Sequence, residues 1–382
     1  MKKETRHINI PVFIPHLGCP NNCVFCNQRR ISGTQEFHEE DVRGLIESSL
    51  STIPAGCDVE IAFFGGSFTG IDRELMIRLL NLADEYIESG RVQSLRCSTR
   101  PDYINEEILS ILSEHHMTTV ELGIQSTRDS VLAACRRGHS ADDSRRACAL
   151  VKAAGMQLIG QMMVGLPGAD EDGEVQTARD IVAFGADGTR VYPTVVFHDT
   201  ELEDMARRGD YLPLDYDTAA KRCASVLDVF DRASLPVIRV GLCSGEGLSS
   251  PQSVYGGANH PAMGELAMGE LYFRRIVEAA EDVLSELTAT DDCAAADGYR
   301  GRIMTVYVRR GAKSAAIGHG RRNIDRLLEK YSRTAGINRI IVLESCELFG
   351  YNIRISISGA ASAERRASPD DTDNTDNTDN SR

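Results

Sequence analysis

HLGCPNNCVFCNQ, at residues 16–28, places three cysteines within eight positions in the spacing C-x3-C-x2-C. The segment lies between the first strand-like run and the first helical pattern of the chain. Three thiolates on one short loop can bind three irons of a cubane and leave the fourth iron without a protein ligand. We therefore predict that Cys19, Cys23 and Cys26 bind a 4Fe-4S cluster with one open iron site.

The same cysteines are compatible with a structural zinc site, in which His16 or His38 supplies a fourth ligand. Zinc sites of this kind more often combine two C-x2-C units, and the sequence contains no second unit downstream. The aromatic Phe25, directly before the third cysteine, favours the iron-sulfur cluster. Zinc remains the alternative at this stage.

The cysteine count and the absence of long apolar runs indicate where the protein works. Eleven cysteines, an odd number with a single tight cluster, are not typical of a disulfide-stapled secreted domain. The first residues lack the apolar segment of a secretory signal, and no stretch is apolar for the roughly 18 residues that a membrane helix needs. We expect a cytoplasmic protein that does not contact a membrane.

The charge balance argues against a wide basic surface. The net charge is -14, and residues 361–382, with six acidic and three basic side chains, contribute -3 of it. This tail repeats the unit TDN and has no large apolar residues to bury, so we expect it to be disordered. The acidic remainder predicts weak binding of tRNA without a partner, although the pairs Arg29–Arg30 and Arg321–Arg322 can contact phosphates.

Short β-rich runs alternate with helical patterns, which predicts βα units around a parallel sheet. The predicted strands are Pro11–His16, Val59–Phe64, Ser94–Thr99, Thr118–Gln125, Gln157–Val164 and Gly188–Val196. The predicted helices are Glu39–Ser51, Asp72–Glu88, Asn105–Glu114, Ala141–Ala154 and Glu171–Phe184. The fold class is therefore α/β, a partial (β/α)6 TIM-like barrel that is open enough to admit a sizeable substrate.

The remainder of the chain changes character. A seventh strand-like run is predicted at Pro236–Cys243 after the helical segment Asp215–Ala233, and a helix at Met263–Leu287 follows a glycine-rich loop. Further strands are predicted at Ile303–Arg309, Ser314–Ile317, Arg339–Glu344 and Tyr351–Ser358, with a helix at Asn323–Tyr331. The predicted organisation is a core at 1–245, a linking loop and helix at 246–300, a small α+β domain at 301–360 and the tail at 361–382.

Six further motifs follow the cysteines in order: FFGGSFTG (63–70), STRPDYIN (98–105), ELGIQS (121–126), RRGHS (136–140), MMVGLPG (162–168) and VYPTVV (191–196). With the cysteine motif, they resemble the radical S-adenosylmethionine (SAM) superfamily, and within it the radical SAM core of the catalytic subunit of Elongator and its bacterial relatives. The resemblance covers roughly residues 8–245.

The resemblance implies a radical SAM enzyme. Its reduced 4Fe-4S cluster would cleave SAM to a 5'-deoxyadenosyl radical, which abstracts hydrogen from a substrate that the sequence does not identify. It also implies an electron donor of the flavodoxin or ferredoxin type. RNA remains open as the substrate.

The resemblance assigns the segment Gly65, Gly66, Ser67 and Phe68 to the amino group of SAM. Glycines after a strand allow the backbone to approach a ligand where a side chain would block it. We therefore expect Gly66→Val to weaken SAM binding and to leave the cluster in place.

Two strand ends carry polar residues at the rim where such barrels bind their ligands. Ser98 and Arg100 end the third strand, and Gln125 and Ser126 end the fourth. They are predicted partners of the SAM carboxylate and ribose, and Arg100 is expected to give a carboxylate two parallel hydrogen bonds. For Ser98 and Ser126 the alternative is a hydroxyl that bonds to local backbone.

Gln161 and Met163 alternate on the fifth strand and so share one face, beside the predicted SAM ribose and adenine. For Met163 the alternative is ordinary core packing. Residues 137–139 match an RGH segment of the family, with a substrate contact or a helix cap as open roles. Cys243, Glu246 and His260 lie in glycine-rich loops, as substrate ligands or as plain turn residues.

The sequence also departs from the Elongator pattern. The Elongator subunit carries an acetyltransferase domain after its core and a basic N-terminal extension, and neither is matched here, so we expect no acetyl transfer. Modification of tRNA and a porphyrin or anaerobic metabolic reaction on the same core remain alternatives. A further alternative belongs to a different functional class, namely a non-catalytic module that is stabilised by zinc and binds RNA or protein.

Overall fold

The computed structural model of the chain describes residues 6–14, 17–19, 23–27, 36–242, 252–290, 301–358 and 364–367. It contains two compact units, residues 1–264 and residues 265–382. The predictions for His16, Arg29, Arg30, Cys243 and Glu246 lie outside the described residues. In the described part of the chain, no helix has the length and apolar character that crossing a membrane requires.

The first unit is built on a curled sheet of seven parallel strands whose spatial order follows the chain. These strands are β1 (His7–Ile14), β2 (Asp58–Gly65), β3 (Ser94–Thr99), β4 (Met117–Gln125), β5 (Gln157–Val164), β6 (Gly188–Pro193) and β8 (Val237–Val240). The structure confirms the predicted partial α/β barrel, and β8 adds a seventh strand beside β6. The strand Val195–Phe197 (β7), whose first two residues were predicted as the end of the sixth strand, instead pairs antiparallel with Val254–Gly257 (β9).

Helices connect the strands of the first unit. They are α1 (Asp41–Thr52), α2 (Arg73–Glu88), α3 (Glu106–Glu114), α4 (Asp129–Ala134), α5 (Ala141–Ala153), α6 (Glu171–Ala183), α7 (Glu201–Arg208) and α8 (Tyr216–Arg232). Several begin at a capping residue. The Asp72 carboxylate accepts a hydrogen bond from the Leu75 N–H, and the Asn105 side chain accepts one from the Ile108 N–H.

A charged layer lies buried within this sheet. Arg96 donates to Glu60 at 2.6 Å and to Glu121 at 2.7 Å, and Arg190 donates to both oxygens of Glu121 at 3.0 and 3.1 Å. Glu121, fully buried, also accepts from Gln161 at 2.8 Å. Each charge therefore has opposite charges within hydrogen-bond distance, which offsets the cost of removing it from water.

The second unit is a four-stranded sheet covered by helices. It comprises α9 (Met263–Thr290), β10 (Arg302–Arg309), α10 (Lys313–Ile317), α11 (Arg322–Tyr331), β11 (Ile337–Ser345), β12 (Ile353–Ser358) and β13 (Glu364–Ala367). The strand order is β11-β10-β12-β13, so β11 is an edge strand. The small C-terminal α+β domain is thus present, and α9 shares its core because Tyr272, Ile276 and Val283 pack with Met304 and Val306.

Three predictions for this region need correction. The run Ser314–Ile317, predicted as a strand, is helical, because Ala312 and Ala316 are buried on one helix face. The helix predicted in the linker belongs to the second unit through the core just described. Glu364–Ala367, predicted as disordered tail, pairs antiparallel with β12, and the other tail residues lie outside the described part.

Replacing Glu121 tests the buried charged layer. Glu121→Gln leaves Arg96 with Glu60 as its remaining carboxylate and removes the carboxylate that pairs with Arg190, and we expect a loss of about 3 kcal/mol in the free energy of unfolding. Urea unfolding followed by circular dichroism measures this. Glu85→Gln, which removes an exposed partner of Arg43, is the matched control and should change little. Equal, small effects of both variants would contradict a structural role for the layer.

Candidate active site

A cavity at the carboxyl ends of β2, β3 and β4 brings together residues far apart in sequence. Its walls include Cys19, Cys23 and Cys26. Eight of the predicted cofactor residues also line it, namely Phe25, Gly65, Gly66, Ser67, Ser98, Arg100, Gln125 and Gln161. Thr99, Gly123 and Arg137, which the sequence did not assign to cofactor binding, complete the lining.

The loop that carries the cysteines is held by backbone hydrogen bonds to distant segments. The Val24 N–H donates to the Cys135 carbonyl at 3.2 Å, and the Leu202 N–H donates to the Val24 carbonyl at 2.8 Å. The Val24 side chain is buried among apolar residues of the same region. The second and third cysteines are therefore held on either side of a residue anchored in the core.

Two buried cysteines outside the cavity lining, Cys135 and Cys97, have raised pKa values. Burial, followed by the nearby Cys23, raises the pKa of Cys135 to about 12, so that its thiol stays protonated. Cys97 is fully buried, and burial raises its pKa even further. None of the nine described cysteines forms a disulfide. Cys19, Cys23 and Cys26 are the ones that line the cavity.

Glycines on two segments let the cysteine loop lie directly on the turn after β2. A Cβ on Gly18 would lie 2.3 Å from the Ser67 carbonyl oxygen, and one on Gly70 would lie 2.5 Å from the Gly18 carbonyl oxygen. A Cβ on Gly66 would lie 2.4 Å from the Leu17 carbonyl oxygen and 3.4 Å from the Cys19 Sγ. Side chains would thus separate the two segments and displace the first cysteine.

Arg137 connects the cysteine loop to β4. Its Nη1 donates to the Cys23 Sγ at 3.4 Å, and its Nη2 donates to the Gly123 carbonyl at 2.7 Å. The side chain is buried, so its charge acts on the sulfur with little screening by solvent. The RGH segment was the sequence signal for Arg137, but a residue 114 positions away from Cys23 gave no indication of this contact.

Arg100 is arranged differently from the prediction. Its Nε and Nη2 both donate to the Asp102 carboxylate at 2.9 Å, so the expected two-bond pairing is made within the protein. The side chain is 2% exposed and its Nη1 has no hydrogen-bond partner. The Nη1 nitrogen of Arg100 is therefore able to donate to a ligand in the cavity.

Gln125 adopts a strained backbone conformation at the cavity wall. Its φ is +66°, and the pairing register of β4 with β5 shifts at the same place, between Gly123 and Gln125. Such a conformation costs of order 1–3 kcal/mol and tends to persist where it orients a functional side chain. The Gln125 Oε1 is buried without a partner.

Gln161 on β5 and Ser98 on β3 contact each other at 3.3 Å on the cavity wall, across the intervening strand β4. The same Gln161 amide donates to Glu121, which fixes its oxygen and nitrogen in one orientation. The cavity is therefore joined to the buried charged layer beneath it.

Three predicted residues lie outside the cavity lining. The Phe68 ring stacks on Phe63 at 4.4 Å and is buried. The Ser126 hydroxyl accepts a hydrogen bond from the Arg128 N–H at 3.1 Å, which is the local role kept open for it. Met163 packs against the apolar residues around Val24, in keeping with the core alternative.

Four buried polar atoms around this cavity have no partner among the described residues. They are the Ser67 Oγ, the Arg100 Nη1, the Gln125 Oε1 and the Arg137 Nε. Unpaired buried polar atoms are rare in folded proteins and each calls for an explanation. Donors and acceptors of this kind, beside three thiols, fit a polar ligand that carries charged groups next to a thiolate-bound metal cluster.

None of the histidines that the structure describes lines the cavity beside the cysteines. His38 lies on the surface, 3.7 Å from Glu36, and is not part of the cavity lining. Burial, assisted by Arg137, lowers the pKa of His139 to about 4, so this ring is neutral, and its Nε2 lies 3.3 Å from the Ile124 carbonyl oxygen. His260 accepts a hydrogen bond from the Ala262 N–H, which is typical of a turn residue.

Sequence comparison identifies the family of this arrangement. The sequence profile of the Radical SAM superfamily matches residues 13–181, and that of the Radical_SAM C-terminal domain matches residues 186–272. The first match contains the cysteine loop and every residue of the cavity lining. Enzymes of this family bind a 4Fe-4S cluster through cysteine thiolates. The cluster therefore replaces zinc as the metal group expected at these cysteines.

Individual relatives match over part of their length. A tRNA uridine(34) acetyltransferase of Methanocaldococcus jannaschii is 34% identical over 32% of this chain and 23% of that protein. Elongator complex protein 3 of Saccharomyces cerevisiae is 27% identical over 45% of this chain and 34% of that protein. The chain thus spans about a quarter to a third of the length of these relatives.

Among solved structures, the archaeal Methanocaldococcus infernus Elp3 with an N-terminal deletion superimposes with a TM-score of 0.54. It covers 71% of this chain and 68% of that chain at 21% identity. The similarity shows a shared fold.

The close contacts around Gly66 change the effect that we expect from replacing this residue. A Cβ at this position collides with the Leu17 carbonyl, so we expect Gly66→Ala to displace the cysteine loop and to lower both iron content and SAM binding. Iron and sulfide analysis and calorimetry with SAM measure the two effects. Gly44→Ala is the control, since a Cβ there meets no atom within 4 Å. Normal iron content with weakened SAM binding would instead support the sequence-based expectation for this glycine.

Arg137 is expected to raise the reduction potential of the cluster. A cation next to a ligand sulfur stabilises the more negative, reduced cluster, so Arg137→Met should make the midpoint potential more negative. A redox titration followed by electron paramagnetic resonance measures the shift. Arg136→Met, which removes an exposed charge one position earlier, is the control. An unchanged potential in Arg137→Met would exclude this role.

Proposed function

Because the chain belongs to the radical SAM superfamily, we propose that it cleaves SAM reductively in the cavity lined by Cys19, Cys23 and Cys26. The protein is a radical SAM enzyme, and enzymes of this family bind a 4Fe-4S cluster and SAM. The observation that carries the proposal is the grouping of three thiols with four unpaired polar atoms around one buried space. The substrate of the radical reaction is not part of this first proposal.

In this proposal the three cysteines hold the cluster, and the turn after β2 receives the amino group of SAM. The Arg100 Nη1, which has no hydrogen-bond partner among the described residues, would donate to the SAM carboxylate. Gln125, Gln161 and Ser98 would contact the ribose, with Gln161 held in one orientation by Glu121. Phe68, Ser126 and Met163 would support the walls from behind.

When bound, the reduced cluster and SAM supply an organic radical that can take hydrogen from an unreactive carbon. The protein contributes binding, orientation and the exclusion of water. The apolar residues around Val24 cover one side of the cysteine loop, and the backbone contacts between Gly18 and the turn after β2 close another. Like other enzymes of the family, this one needs a reductant, and we propose a flavodoxin or ferredoxin in the cytoplasm.

A second candidate function concerns the substrate. Two proteins named tRNA uridine(34) acetyltransferase are 34% identical to this chain over 126 residues. We propose RNA as the second candidate substrate class on this basis. The matched stretch is short, and it does not extend to a proposal of acetyl transfer.

The test measures SAM cleavage directly. Anaerobically reconstituted protein with a chemical reductant should form methionine and 5'-deoxyadenosine from SAM, and Cys23→Ala should form neither. Cys135→Ala is the matched control, because this buried cysteine does not line the cavity, and it should retain the cluster. A Cys23→Ala protein with normal cluster content and SAM cleavage would refute the proposal. Added tRNA that stimulates cleavage would support the second candidate, and unchanged cleavage would count against it.

A further inference from the structure

The small α+β part of the second unit is strongly basic, although the whole chain is acidic. Residues 301–358 contain eleven lysines and arginines and four aspartates and glutamates, which gives a net charge of +7. The net charge of the chain is -14. Concentrated charge of one sign destabilises a small unit by self-repulsion, and it is typical of surfaces that bind a polyanion. These residues lie beyond both matched family domains, which end at residue 272.

Part of this charge borders one groove. The groove runs between α11 and the edge strand β11, with Ile324 and Leu328 among the apolar residues of its floor. Lys313, Arg321 and Arg339 line it, and none of its lining residues is acidic. The groove therefore combines positive charge with an apolar surface.

The cations of the groove differ from other cations of the same region. On α11, Arg326 pairs with Glu270 at 2.6 Å and Lys330 pairs with Glu281 at 2.9 Å. Within the described residues, Lys313, Arg321 and Arg339 form no ion pair with a carboxylate, and all three are exposed. Their charge is therefore available to a ligand.

The start of α11 adds to the positive potential. Arg321 precedes the helix with a φ of +68°, and no side chain caps the first turn. Gly318 and Gly320 before it also have positive φ values. The N-terminal end of a helix carries partial positive charge from its backbone N–H groups, which favours an anion near the Arg321 and Lys313 side chains.

We propose that this groove binds single-stranded RNA. Lys313, Arg321 and Arg339 would contact successive phosphates, and bases that are not paired would lie against the aliphatic floor. The charge distribution points to a nucleic-acid strand, and the choice of RNA rests on the second candidate function above. The net charge of the whole chain predicts weak binding of RNA, but this total conceals the basic character of residues 301–358.

The experiment uses the full-length protein and a fluorescently labelled single-stranded RNA in an anisotropy titration at several salt concentrations. The variant combines Lys313→Gln, Arg321→Asn and Arg339→Gln, because asparagine tolerates the left-handed conformation at position 321. We expect the Kd to rise at least tenfold. The slope of log Kd against log salt should fall by about 2, since each phosphate contact on a single strand contributes about 0.7.

The matched control combines Arg43→Gln, Arg78→Gln and Arg91→Gln, which make the same change in net charge on exposed residues of the first unit. Its Kd should stay within twofold of the wild type. The proposal fails if the groove variant also binds like the wild type, or if the control loses as much affinity. Equal binding of a polyglutamate peptide of matched charge would overturn the assignment to RNA.

SAM cleavage without RNA separates this inference from the proposed function. The groove variant should cleave SAM like the wild type, because none of the three residues lines the cysteine cavity. Lost RNA binding with retained SAM cleavage supports the groove. A wild-type protein that binds RNA through the groove and does not cleave SAM would contradict the proposed function and leave the groove assignment intact.

Discussion

The buried carboxylate of Glu121 is the interaction on which the first unit depends. It lies on β4, accepts from Arg96 on β3, Gln161 on β5 and Arg190 on β6, and is fully buried. A lone charge there would destabilise the sheet, so the four strands are constrained to the register that brings these partners together. Because Gln161 also lines the cavity, the same network orients a side chain at the site. Fold and site are thus joined through one hydrogen bond.

The cysteine loop depends on a second constraint, which is backbone packing without side chains. Gly18 and Gly66 allow the loop to lie on the turn after β2, and Val24 anchors its other end through Cys135 and Leu202. Cys19 and Cys23 thus each lie directly beside an anchored residue. We therefore expect Gly18 and Gly66 to matter for the cluster as well as for the ligand beside it.

Much of the fold and part of the site could be predicted from the sequence, because they depend on local patterns. Apolar runs predicted the parallel strands, and a resemblance in motif order predicted most of the cavity lining. The contacts of Arg137 and Arg100 could not be predicted. Arg137 reaches Cys23 only after β4 and α4 have brought the two together, and Arg100 pairs with Asp102 because a short helical turn follows it. Ser314–Ile317 was wrongly predicted as a strand, since a run of four residues is too short to distinguish the helical from the strand period.

The net charge is a second property for which the sequence alone was a poor guide to the site. A total of -14 is a sum over the chain, while a ligand responds to the potential at the place where it binds. Residues 301–358 carry +7, and much of the compensating negative charge lies elsewhere, including -3 on residues 361–382. At physiological salt, charges more than about 8 Å apart are largely screened from each other. Lys313, Arg321 and Arg339 line the groove and no carboxylate is among its lining residues, so an acidic protein can carry a binding site for a polyanion.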